Sequence, residues 1–90
     1  MTLEELRDIV NAKTKCNFTI KGSAMYYSPF NGTDIMARFL YHGFAYSYID
    51  SRYGHRGGRG PLDTVEDLTS MLNLIIEDMK LSSERKENKK

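Results

Sequence analysis

Residues 34–50 read DIMARFLYHGFAYSYID, and their alternation decides the fold. Apolar and aromatic side chains recur at every second position on both sides of His42-Gly43, the period of a half-buried strand rather than of a helix. Two strands are therefore expected, Asp34–Tyr41 and Phe44–Asp50, joined at His42-Gly43. A two-residue loop there sets Tyr41 opposite Phe44 and sorts the side chains onto two faces. One face carries Ile35, Ala37, Phe39, Tyr41, Phe44, Tyr46 and Tyr48. The other carries Met36, Arg38, Leu40, Ala45, Ser47 and Ile49, with Arg38 and Ser47 opposed. Leaving large rings in water forfeits roughly 1.5–3 kcal/mol each, so the helices are expected over the ring-bearing face and the mixed face is expected outside. A three-residue loop with Gly43 in the left-handed region would slip the register and mix the two faces.

Upstream, Asn17–Lys21 and Ala24–Ser28 alternate around Gly22-Ser23, a pair suited to a tight hairpin loop. With Lys21 opposite Ala24, Phe18 and Ile20 face Tyr27 and Met25, so turn chemistry and alternation give the same apolar face. Residues 28–33, SPFNGT, form a longer turn by composition. Helices are expected at both ends. Thr2 and Glu5 have the spacing of a capping box ahead of a helix over residues 3–12. Asp63 or Thr64 caps a second helix, whose stripe of Val65, Leu68, Met71, Leu72, Ile75, Ile76 and Met79 recurs every three or four residues. Past Leu81 the chain is polar and is expected to be a disordered tail over residues 82–90. The fold class is thus α+β: helix, a three- or four-stranded antiparallel meander, helix, in a two-layer sandwich formed by one domain over residues 1–81.

Composition limits the functions available. An apolar fraction of 40% with 28% charged residues is that of a folded globular chain. Thirteen basic and twelve acidic residues leave a net charge of +1, so a basic binding site must be local. Cys16, the one cysteine, has no internal disulfide partner, and the first residues lack the pattern of a secretory signal, so a cytoplasmic location is expected. No apolar run approaches the roughly eighteen residues of a membrane span.

Residues 52–60, RYGHRGGRG, hold basic side chains and glycines without a single acid. They are expected to form a pliable connection between the last strand and the second helix, and they resemble the Arg-Gly-rich segments of RNA-binding proteins. Arginines on such a backbone contact phosphates in pairs of hydrogen bonds, and Tyr53 offers a ring for stacking. No Lys-Ser or Lys-Thr follows the glycines, so this is not a nucleotide-binding P-loop. His42 and His55 offer the acid and base of a small ribonuclease if the fold brings them to one substrate. A Cys16–His42 dyad lacks an orienting carboxylate. Glu4, Glu5, Asp8, Asp63, Glu66 and Asp67 all fall in first turns of helices, where the helix dipole favours them. No metal site and no cofactor are expected.

Residues 18–27, FTIKGSAMYY, following a short amphipathic helix, resemble the Gly-Ser-His region of the HicA family of mRNA-cleaving toxins. That resemblance implies the helix, three-strand, helix fold of double-stranded-RNA-binding domains. The family's catalytic histidine falls at Ala24, so nuclease activity is not carried over. In size, architecture and tyrosine content the whole chain is similar to small phage-encoded anti-defence proteins of the anti-CRISPR type. This likeness implies a non-enzymatic inhibitor acting in a host cytoplasm on a protein or protein–nucleic acid complex. The expected contact residues are Met36, Arg38, Leu40 and Ile49 on the outer strand face, with Arg52, Tyr53, Arg56 and Arg59 at its edge. The alternatives are direct binding of RNA or DNA through the same arginines, and pairing with a second copy of the chain.

Overall fold

The computed structural model of the chain describes residues 1–88. Its elements run α1 (Leu3–Thr14), β1 (Thr19–Lys21), β2 (Ala24–Tyr27), β3 (Thr33–Leu40), β4 (Gly43–Asp50), β5 (His55–Leu62) and α2 (Val65–Asn88). The strands form one sheet in chain order, every neighbouring pair antiparallel. The α+β class and two-layer build are as the patterning predicts, with five strands in place of three or four. Among the described residues no helix is long and apolar enough to cross a membrane.

Local chemistry sets the first elements. The Thr2 Oγ1 accepts from the Glu5 N–H at 3.1 Å and the Thr2 N–H donates to Glu5 Oε1 at 2.9 Å, completing the capping box of α1. Lys15, in the left-handed region at φ 58°, ends the helix. Asn11 then ties the connection down: its Oδ1 accepts from the Phe18 N–H at 2.7 Å and its Nδ2 donates to the Phe18 carbonyl at 3.2 Å. This pair of bonds imitates one rung of a strand ladder and carries Phe18 into the core. The Gly22-Ser23 turn pairs Lys21 with Ala24 and Ile20 with Met25, as expected. The Phe18 and Tyr27 rings meet 5.3 Å apart.

The β3–β4 hairpin turns two residues' worth of register away from the expected place. Leu40 pairs with Gly43 and Phe39 with Phe44, so the loop is Tyr41-His42 rather than His42-Gly43. Arg38 consequently opposes Ala45, not Ser47, which opposes Met36. Because the displacement is even, no side chain changes face. Ile35, Ala37 and Tyr46 lie in the core, whereas Tyr41 has left the sheet and is 93% exposed at the hairpin tip. The reason for the shift lies in the next strand: a Cβ on Gly43 would stand 2.2 Å from the Leu62 carbonyl oxygen, so this glycine is needed where β5 crosses.

Residues 55–62 are a strand and not the pliable connection expected over 52–60. β5 pairs with β4 from Asp50↔His55 to Tyr46↔Arg59 and, beyond a bulge, Phe44↔Leu62. Its glycines, though exposed, lie tight against β4: the Tyr48 hydroxyl would lie 2.9 Å from a Cβ on Gly57. A large cross-strand ring laid over an edge glycine replaces the side-chain packing that the glycine lacks. Pro61, which has no N–H to give a ladder, sits in the irregular part of this edge strand.

Thr64 caps α2, its Oγ1 accepting from the Asp67 N–H at 3.0 Å. The helix runs on to Asn88, past the expected end at Leu81, so most of the anticipated tail over 82–90 is helical; residues 89–90 lie outside the described residues. Both helices cover one face of the sheet, where Leu6, Val10, Leu68, Leu72, Ile75 and Met79 meet Phe18, Met25, Ile35, Ala37 and Tyr46. Removing the ring of Phe18, which is 2% exposed, leaves a cavity at this junction. Phe18→Ala is expected to lower the unfolding free energy by about 3–5 kcal/mol in urea titrations. Tyr41→Ala, at the exposed tip, should change it by no more than about 0.5 kcal/mol.

Candidate functional site

With both helices on one side, the other side of the sheet is uncovered. Alternation places Met36, Arg38, Leu40, Ala45, Ser47 and Ile49 there, and the pairing of Tyr26 with Met36 adds Tyr26. The pairing of Ile49 with Arg56 adds an arginine from β5. Ile49 is 45% exposed, Met36 and Leu40 are half-buried, and Ala45 is buried. Tyr26, Asp34, Met36, Ser47 and Ile49 surround a shallow depression of about 180 Å³. The result is an apolar centre between two exposed guanidinium groups, Arg38 and Arg56, with Asp34 as the nearby carboxylate. Such a face suits a partner that offers apolar contact together with phosphate or carboxylate oxygens.

Of the eight residues expected to contact a partner, five share this face: Met36, Arg38, Leu40, Ile49 and Arg56. Arg59 pairs with Tyr46 and therefore points to the helix side of β5, where it is exposed. Arg52 and Tyr53 stand apart, in the turn between β4 and β5. The expectation that Arg52 reaches outward is corrected by its partners. Its Nε and Nη2 donate to the two carboxylate oxygens of Asp50 at 2.9 and 2.8 Å, and Nη2 also donates to the Met79 carbonyl at 3.3 Å. Nη1 donates to the Ser83 Oγ. The guanidinium carbon lies 4.6 Å from the centre of the Phe30 ring and 4.9 Å from that of Tyr53. Tyr53 is half-buried, with the Arg52 guanidinium over its ring.

Asp50 is 2% exposed, and its carboxyl is held below the ordinary value of 3.8, chiefly by the hydrogen bonds from the Arg52 side chain, against the opposing effect of burial. The same bonds push the Arg52 guanidinium above its ordinary value. A carboxylate this deep is tolerated because both oxygens are met by a fork of matching geometry.

The two histidines are not brought together. His42 sits in the loop before β4, and His55 pairs with Asp50 at the strand's far end, roughly 25 Å away along an extended strand. Shared acid and base work on one bond needs hydrogen-bond reach, which this placement does not give. Cys16 lies against Tyr27, whose hydroxyl is pushed to higher pKa by burial first and by Cys16 second.

A second feature was not visible in the patterning. Between α2 and the sheet lies a groove of about 320 Å³, lined by Tyr46 and Tyr48 of β4, His55 at the start of β5, and Met71, Leu74 and Asp78 of α2 among others. Leu74, 62% exposed, stands outside the helix's buried stripe. An apolar residue off the stripe was the available signal.

The Asp50–Arg52 pair yields a pH dependence whose sign follows from the lowered carboxyl pKa. Its stabilising contribution is present above the unfolded value near pH 4 and is lost as pH falls through the lower folded value. Arg52→Met, which leaves Asp50 buried without its partner, is expected to cost about 3–5 kcal/mol at pH 7. In thermal melts that deficit should shrink toward pH 3, and Asp50→Asn should flatten the acid limb of the wild-type profile. No known protein family, curated protein or solved structure matches the chain, so the site rests on its own geometry.

Proposed function

We propose that this chain is a non-enzymatic binding protein that inhibits or modulates a larger nucleic-acid-handling complex, in the manner of the small phage-encoded anti-CRISPR-type proteins it resembles. One observation carries the reading: the uncovered face of the sheet, apolar at Met36, Leu40 and Ile49 and flanked by Arg38 and Arg56, in a chain whose two helices both lie on the opposite side. A complex of protein with nucleic acid supplies both halves of what that face matches, an apolar surface and nearby phosphates. The cytoplasm of a host cell is the compartment that this reading requires.

Direct binding of RNA or DNA is the second reading, favoured by the placement of Arg38 and Arg56 on a single face. Salt separates the two, because phosphate contacts release counterions and weaken steeply as salt rises, whereas a mainly apolar interface does not. Capture from host-cell lysate by the immobilised chain, with and without nuclease, tests the choice. The expected result is a protein partner that survives nuclease, is lost with Ile49→Asp, and weakens less than about tenfold between 50 and 200 mM salt. Nuclease-sensitive capture that Arg38→Ala and Arg56→Ala abolish together would establish the second reading. Capture unchanged by all three substitutions would remove the uncovered face from consideration.

A further inference from the structure

The edge of the sheet at β5 is a separate surface. The opposite edge, β1, is only three residues long, while β5 offers eight, with residues 55–61 all exposed. Every second residue of an edge strand turns its N–H and C=O away from the sheet, and among the described residues no loop or turn backbone bonds to those of β5. α2 packs mainly on β4 and reaches this edge at its His55 end. Leu74 is 62% exposed and Met71 half-buried, and beneath them lies the groove of about 320 Å³ that reaches Tyr48 and His55. A strand laid beside β5 would put its alternate side chains into that groove, under Leu74.

Charge selects the occupant. His55, Arg56 and Arg59 are the ionisable side chains of β5, and no carboxylate stands between Ser51 and Leu62. A second copy paired antiparallel through β5 would gather Arg56 and Arg59 of both copies along one seam with no carboxylate from either strand between them, which like-charge repulsion disfavours. An acidic strand meets the opposite sign on both faces: Arg56 on the uncovered side and Arg59 on the helix side. Asp78 lines the groove together with His55, so carboxylates belong near the two arginines and an apolar side chain belongs under Leu74.

We propose that β5 is a docking edge for an acidic extended segment of a partner protein, which joins the sheet as a sixth strand with apolar side chains beneath Leu74. Backbone hydrogen bonds supply the attachment, and the arginines choose acidic strands over basic ones and over a second copy.

The probe is a synthetic eight-residue peptide of glutamate with two valines at alternate positions, so that valines and glutamates share the helix side and glutamates fill the other, compared with a peptide in which lysine replaces every glutamate and with the glutamate peptide N-methylated on one edge. Fluorescence anisotropy and amide hydrogen exchange followed by NMR are the readouts. The expected result is saturable binding of the glutamate peptide alone, with exchange at amides of residues 55–60 slowed about tenfold. Leu74→Asp should weaken it about fivefold or more, a loss beyond the normal scatter of surface substitutions. The double substitution Arg56→Glu and Arg59→Glu should transfer the preference to the lysine peptide. Equal binding of both peptides, undiminished binding of the N-methylated one, or exchange protection confined to other strands would overturn the proposal. Met36→Asp, on β3 with β4 between it and the docking edge, should leave peptide binding unchanged while it disrupts the apolar centre of the uncovered face, which keeps this test independent of the function proposed above.

Discussion

The guanidinium of Arg52 is the point on which the rest of the arrangement depends. It closes a fork on the buried Asp50 carboxylate at the end of β4, reaches the Met79 carbonyl and the Ser83 hydroxyl on α2, and lies over the Phe30 ring of the β2–β3 loop. Three pieces of chain remote in sequence are thereby held at one corner. The Ser51 N–H, donating to the Gly32 carbonyl at 2.8 Å, fastens the same corner from the backbone. β5 starts three residues after Arg52, so the corner determines where the edge strand begins and where Arg56 and Arg59 come to stand. Arg52, one of the three loop arginines expected at the binding edge, is the one that positions the other two.

Sidedness follows from a second constraint. The core accepts only one face of β3 and β4, and the period of a strand is two, so a register change of two residues leaves the buried and exposed sets intact. The hairpin used that freedom. Its loop moved to Tyr41-His42 while Ile35, Ala37, Phe39, Phe44, Tyr46 and Tyr48 stayed on the helix side. A displacement of one residue would have exposed the rings and buried Arg38.

What could be read from the residues was what local chemistry decides. The capping box at Thr2 and Glu5, the Gly22-Ser23 turn and the stripe of the second helix each act over a few positions, and each was legible. The uncovered face was legible too, because it follows from parity. The hairpin loop was not, since Gly43 answers to the Leu62 carbonyl nineteen positions away as well as to its own positive φ of 149°. β5 escaped for a related reason: HRGGRGPL has no apolar alternation, and its strand character is lent by the backbone of β4 and the ring of Tyr48. The inward role of Arg52 depends on Met79 and Ser83, whose nearness only the folded chain reveals. The groove beside Leu74 likewise forms only where α2 comes over Tyr46 and Tyr48 of β4 and His55 of β5.

The glycines of β5 invert an everyday intuition about variation. Runs of arginine and glycine are usually where a lineage can drift, because spacers tolerate almost any replacement. Here the smallest possible addition at Gly60 would meet the Leu40 Cδ1 at 2.7 Å and the Ala45 Cβ at 2.9 Å, and at Gly58 the Tyr46 carbonyl oxygen at 2.8 Å. Even alanine would press on the neighbouring strand. The stretch that most resembles filler therefore has less evolutionary latitude than the exposed aromatic tip at Tyr41, and descendants of this chain should diverge at the tip long before they diverge along that edge.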